Sequence, residues 1–292
     1  MENCIKIGSE SLQVWVAKPG KRYGRSRFDW TGFIPQISLN GHTFCTPEEG
    51  SWNPGGTGGE GLCNEFHADN ETMGGDDSDN LFLKPGVGLL ERPDKKPYNI
   101  GVAYNIVKPF PCTMQSYDDR VSFHLGEIPF KNISYSMDKH VSVIDNMLII
   151  TTTVFNNGNK QIELNEYNHN FLSMDNNGAH SQVKLTMHKD YYNSVDTPGL
   201  VMNEDNITFT NEIKNHFMIY CRNPVAHSPL RWELRDEKAG MTVQEWGDFD
   251  VSRYLVWGGP HTITPEIYGS FQIDPGQRRT WTRLWKFYVK GV

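Results

Sequence analysis

No apolar run in the sequence approaches the ~20 residues that a membrane-crossing helix needs, so no membrane span is expected. The opening residues, Met1-Glu-Asn-Cys-Ile-Lys-Ile, lack the apolar core of a secretion signal. Lys and Arg never form a dense block, and the formal net charge is -7, which argues against a nucleic-acid partner or an anionic membrane surface. The five cysteines are widely spaced, odd in number and without a C-x-x-C pair, as expected for reduced thiols in a cytoplasmic protein. On that reading the sequons at Asn70, Asn132 and Asn206 are fortuitous. The histidines form neither HExxH nor a Cys/His array, so no catalytic zinc is indicated and no cofactor is expected. A G-x-S-x-G nucleophile elbow is also missing.

Helical periodicity is scarce as well. What is present is a succession of short alternating runs bounded by Gly, Asn, Asp and Pro, the pattern of an all-β chain. Phe33 to Cys45 reads as two strands turning at Asn40-Gly41, a strong type I′ signal. Val141 to Phe155 reads as two strands around Asp145-Asn146, and Met147–Phe155 is too apolar for a sheet edge. Gln161 to His169 alternates again, and further strands are expected at 183–187, 207–210, 216–221, 231–235, 241–245, 270–273 and 280–289. In the last of these, Arg278, Arg279, Arg283 and Lys286 read as its outer face, alternating with Trp281, Leu284 and Trp285. Turns about ten residues apart fit a large antiparallel β-sandwich. With no linker-like segment, residues 1–292 are expected to form a single domain.

Residues 48–79 read as one long, glycine-rich, acidic loop. Within it, Gly56-Thr-Gly58-Gly-Glu-Gly61 matches G-x-G-x-x-G, but neither flank supplies the strand and helix that dinucleotide binding needs. Asp69, Glu71, Asp76, Asp77 and Asp79 lack the fixed offsets of a calcium loop and read as solvated. Aromatic residues make up 12% of the chain, which suits flat apolar ligands such as sugar rings.

Two residues stand out as candidate chemistry. His169, in Glu166-Tyr-Asn-His-Asn-Phe, ends an alternating strand; it is either a core histidine bonded to backbone or a proton donor near neutral pH. Glu266, between Pro265 and Ile267, is costly to bury unpaired; it is either in a structural ion pair with an arginine or a general base.

The order of these elements resembles the aldose 1-epimerase, or galactose mutarotase-like, superfamily. Gly24-Arg-Ser-Arg-Phe-Asp-Trp-Thr-Gly32 leading into Ile37-Ser-Leu-Asn-Gly-His is similar to the family's opening strand pair. Leu148 to Gly158 leading to Asn168-His169-Asn170-Phe171 is similar to its strand, turn and catalytic His. Pro265-Glu266 followed by Ile273-Asp-Pro-Gly-Gln is similar to its catalytic Glu before a turn. The resemblance implies a supersandwich that binds a monosaccharide or sugar derivative and interconverts its anomers, with His169 as acid and Glu266 as base. An earlier family His is missing: the corresponding segment reads Lys84-Pro-Gly86-Val-Gly88, and His67 or Lys84 could substitute. Glu65, His67, Lys84, Arg92 and Trp257 are the candidates for holding the sugar, Trp257 by stacking on a pyranose face. A monomer or homodimer is expected. A non-catalytic carbohydrate-binding protein and a glycoside lyase or hydrolase on the same fold are the alternatives.

Overall fold

The computed structural model of the chain describes residues 1–67, 80–187, 191–193, 197–203, 205–210, 213–221 and 228–291. The acidic cluster from Asp69 to Asp79 lies outside the described residues. Strands β1 (Cys4–Gly8), β2 (Leu12–Ala17), β3 (Gln36–Leu39) and β4 (His42–Thr43) make an antiparallel meander. At its last turn Asn40 and Gly41 have φ of 51° and 88°, the left-handed pair that a type I′ hairpin requires. Next come β5 (Leu62–Phe66) and a three-stranded sheet of β6 (Leu81–Lys84), β7 (Gly88–Glu91) and β8 (Asn105–Pro109). The segment expected to be all loop therefore contains β5. Gly61, at φ 63°, opens it so close to Ile34 that a side chain would strike that residue's carbonyl oxygen.

The chain continues through β9 (Cys112–Ser116), β10 (Arg120–Leu125), β11 (Tyr135–Ile144), β12 (Met147–Asn156) and β13 (Ile162–Asn170). Then follow β14 (Val183–Met187), β15 (Tyr191–Asn193), β16 (Leu200–Met202), β17 (Asn206–Phe209) and β18 (Phe217–Cys221). The last five are β19 (Leu230–Asp236), β20 (Met241–Gly247), β21 (Val251–Gly259), β22 (Thr262–Ile273) and β23 (Arg278–Val289). Ten of these form one sheet, in the order β16-β17-β14-β19-β20-β23-β12-β11-β10-β9. Six form another, β15-β18-β21-β22-β13-β5. All pairings are antiparallel, and β12 lies between β11 and β23 as its apolar sequence predicts.

The two large sheets pack face to face. Phe271 of β22 stacks on Trp281 of β23 with ring centroids 4.1 Å apart, and Trp285 Nε1 of β23 donates to Asn170 Oδ1 of β13 at 3.0 Å. The fold is thus an antiparallel β-sandwich, and among the described residues no helix is long and apolar enough to cross a membrane.

Arg283 corrects the reading of β23. It is 2% exposed and lies inside the sandwich. Strand alternation explains this: residues 281, 283 and 285 share one face, so the same geometry that buries Trp281 and Trp285 buries the arginine between them. Its guanidinium donates to Glu166 at 2.7 and 3.1 Å, to Glu245 at 2.6 Å and to the Ile267 carbonyl at 2.7 Å. Trp232 Nε1 donates to the other Glu245 oxygen at 2.6 Å. Asn64 connects this group to a second buried pair, Lys139 and Asp29, 2.5 Å apart.

Candidate functional site

Strands of period two put alternate residues on opposite faces, and β13 shows both. Glu166, Asn168 and Asn170 point into the sandwich, where Arg283, Asn64 and Trp285 meet them. Tyr167 and His169 point the other way, into a cavity of about 300 Å³ that opens on the outer face of the six-stranded sheet. That size falls at the small end of ligand sites.

Register brings the two candidate residues together. β13 pairs with β22 so that Tyr167 faces Tyr268, and further along Leu172 bridges Ile263 in the same register. Between those points His169 falls opposite Glu266. Its Nδ1 lies 2.8 Å from Glu266 Oε1, a short contact between charged groups that is not aligned as a hydrogen bond. The second Glu266 oxygen accepts the Tyr268 hydroxyl at 3.1 Å. His169 Nε2 faces Glu65 Oε2 at 3.1 Å, and Arg27 Nη2 lies 3.4 Å from the same nitrogen. Among the described residues, His169 thus meets carboxylates rather than backbone, and Glu266 meets a histidine and a tyrosine rather than an arginine.

Burial would lower the His169 pKa, but Glu266 and then Glu65 outweigh it and bring it up to about 9. The imidazole is therefore a cation at neutral pH. Glu65 is fully buried beneath it. Burial alone would raise its pKa, yet Lys84 at 3.7 Å, Arg27 at 3.0 Å and His169 hold it well below the ordinary carboxylate range. Glu65 thus carries permanent negative charge under the histidine.

The remaining candidates divide between the cavity and its surroundings. Trp257 and His67 line the cavity with His169 and Glu266. The His67 ring stacks on Tyr167, centroids 5.4 Å apart, and Trp257 stays half-buried, leaving ring surface open. Glu65 and Lys84 lie behind the wall. Lys84 is 0% exposed, bonded to the Phe66 carbonyl, and burial pulls its pKa down to about 8 although Glu65 opposes that. Arg92 does not line the cavity; its guanidinium packs 4.7 Å from the Phe82 ring and donates to the Lys96 carbonyl at 3.3 Å.

Two tyrosines of the site were not anticipated, and Arg27, available from the sequence as a cation for a phosphate group, pairs instead with carboxylates. Tyr167 and Tyr268 stack in register, 4.1 Å apart and 12° from parallel, and floor the cavity. Their signal was available, since each lies two residues from His169 or Glu266 and so shares its face. Arg27 clamps the site from the first third of the chain, bridging Glu65 to Glu48 at 3.0 and 3.1 Å; nothing in its sequence context marks that convergence.

No protein-family model and no curated protein sequence matches the chain. Solved structures do match. A galactose mutarotase-like protein from Lactobacillus casei is similar over 98% of this chain and 100% of its own, with 11% identity and a TM-score of 0.59. This chain has the galactose mutarotase-like fold. A galactose mutarotase related enzyme from Lactobacillus acidophilus is similar over 98% and 97%, with 11% identity and a TM-score of 0.58. An aldose epimerase homologue from C. elegans covers 98% of both chains, with 11% identity and a TM-score of 0.54. At such identities the likeness concerns the fold, and the reaction has to be argued from this chain's residues.

Proposed function

We propose that residues 1–292 form a single sugar-binding domain that interconverts the anomers of a hexose or hexose derivative. The observation that carries this reading is the cross-strand pair of His169 and Glu266 at the wall of an aromatic cavity. The ring oxygen and the anomeric hydroxyl of a pyranose hang on one carbon, so the acid and the base that serve them need to be neighbours. Glu266 takes the proton of the anomeric hydroxyl and the C1–O bond to the ring oxygen breaks as C1=O forms. His169 gives its proton to the departing ring oxygen. Rotation about C1–C2 followed by the reverse transfers closes the other anomer and restores both groups. The raised pKa of His169 keeps it charged as a donor at neutral pH. Glu65 fixes the ring through Nε2, leaving Nδ1–H as the proton beside the cavity. Trp257 offers its half-buried ring to the C–H side of the sugar, and the Tyr167–Tyr268 stack lines the cavity beside it.

A second reading has one observation in its favour. His169 lies between two carboxylates, an arrangement that also suits a sugar-binding protein without turnover. A screen of sugars for thermal stabilisation, followed by polarimetry on those that bind, separates the two. Catalysed mutarotation of a binding sugar supports the enzyme. Binding without any acceleration over buffer overturns it.

A further inference from the structure

Among the described residues, the arginines and the lysine of the site and His169 are matched by carboxylates with one exception. Arg27 meets Glu48 and Glu65, Lys84 meets Glu65, and His169 meets Glu65 and Glu266. Arg253, exposed on β21 at the cavity, meets no carboxylate among the described residues. Its guanidinium lies 4.4 Å from the Tyr268 ring centroid, and Nη2 makes only a long 3.5 Å contact to the Tyr268 hydroxyl. Stacking uses the face of a guanidinium and leaves its N–H edge free, the geometry that forks onto a planar or tetrahedral anion. The same tyrosine hydroxyl donates to Glu266, so Tyr268 joins Arg253 to the base. Register sets Arg253 opposite Tyr268, two residues along β22 from Glu266, which is about 7 Å of strand.

We propose that Arg253 recognises an acidic substituent, a carboxylate or a phosphate ester, carried by the sugar away from its anomeric carbon. This deepens the sugar-isomerase reading and rests on it for the identity of the cavity. The alternation Arg253-Tyr-Leu255-Val-Trp257 puts the arginine, an apolar side chain and an indole on one face, so the wall runs from a charged end to an aromatic end. A neutral hexose would leave the charged end unused. An acidic hexose fills it while its anomeric carbon reaches Glu266.

The test compares glucose, glucuronate and glucose 6-phosphate as substrates for the wild-type chain and for Arg253→Gln and Arg253→Lys. Wild type should favour at least one acidic sugar over glucose by about tenfold or more in kcat/KM, the worth of a charge-assisted hydrogen bond. The carboxylate and phosphate arms identify which anion is used. Arg253→Gln should bring the acidic-to-neutral ratio close to one through KM, and Arg253→Lys should restore part of it. Raising the salt concentration should shrink the wild-type preference, because the arginine is exposed. Glucose as the preferred substrate, or a ratio unchanged in Arg253→Gln, overturns the proposal. If no sugar is turned over, the isomerase reading fails and this inference is judged by titration of the three sugars. Glucuronate or glucose 6-phosphate binding that weakens about tenfold in Arg253→Gln then sustains it, and unchanged affinities overturn it.

Discussion

The two faces of β13 carry two charged clusters with opposite characters. On the inner face, Arg283 is nearly saturated: four of its five N–H donors are spent on Glu166, Glu245 and a backbone carbonyl. On the outer face, His169 has one nitrogen held by Glu65 and the other in a short, misaligned contact beside a cavity. An arginine keeps its charge at any working pH and serves as a fixed tie between sheets. A histidine, unlike an arginine, can give its proton away. One strand therefore supplies a cluster between the sheets and a cluster at the cavity by alternation alone.

The sharpest way to break the inner cluster is Arg283→Met. It leaves Glu166 and Glu245 buried with their main counter-charge gone, and removing one partner of a buried ion group costs about 3–5 kcal/mol. Urea unfolding should show that loss. The matching change on the outer face, Glu266→Gln, should act on rate instead. Losing a general base lowers turnover by about 10²–10⁴-fold, while the unfolding midpoint should shift less than in Arg283→Met, because Glu65 still pairs with His169. Equal stability losses in the two variants would erase the distinction between the faces.

Much of this arrangement was legible in the sequence and some was not. The Asn40-Gly41 hairpin and the central position of β12 followed from turn chemistry and β-branching. His169 and Glu266 stood out because polar groups in apolar strands need partners. Their contact depends on the β13–β22 register, which joins residues nearly a hundred positions apart and leaves no local trace. The same reason hid Arg27 and Glu65 as partners of His169. Strand β5 was hidden by its glycine-rich surroundings, and β21 by the glycines and proline after it. Arg283 was misplaced by treating charge as a sign of exposure when its parity with Trp281 and Trp285 already said otherwise.

Acidity offers a second way to separate the clusters. His169 ordinarily titrates near 6.5, and the folded protein raises it to about 9. Its ion pairing therefore stabilises the fold fully below about 6.5 and is lost as pH rises through about 9. In the free enzyme kcat/KM should fall over the same upper limb as the imidazolium loses its proton. A rate profile flat through pH 9 in the wild-type chain would remove His169 as the acid. The Arg283 cluster should contribute nothing to this limb.

The smallest expected effect lies far from both clusters. Gly41, at φ 88°, has open space where a side chain would go, so Gly41→Ala meets only backbone strain. The cost should be about 1–2 kcal/mol in thermal unfolding, with sugar turnover unaltered. A larger loss would mean that the hairpin does more than join β3 to β4.

The central claim is that His169 and Glu266 work as one unit on one anomeric carbon. Anomer exchange of a bound sugar, followed by exchange NMR in wild type, Glu266→Gln, His169→Asn and the double variant, tests it most directly. Groups acting together are strongly non-additive, so the double variant should be about as slow as either single one. Losses that multiply, or a Glu266→Gln protein that exchanges its sugar at the wild-type rate, would contradict it.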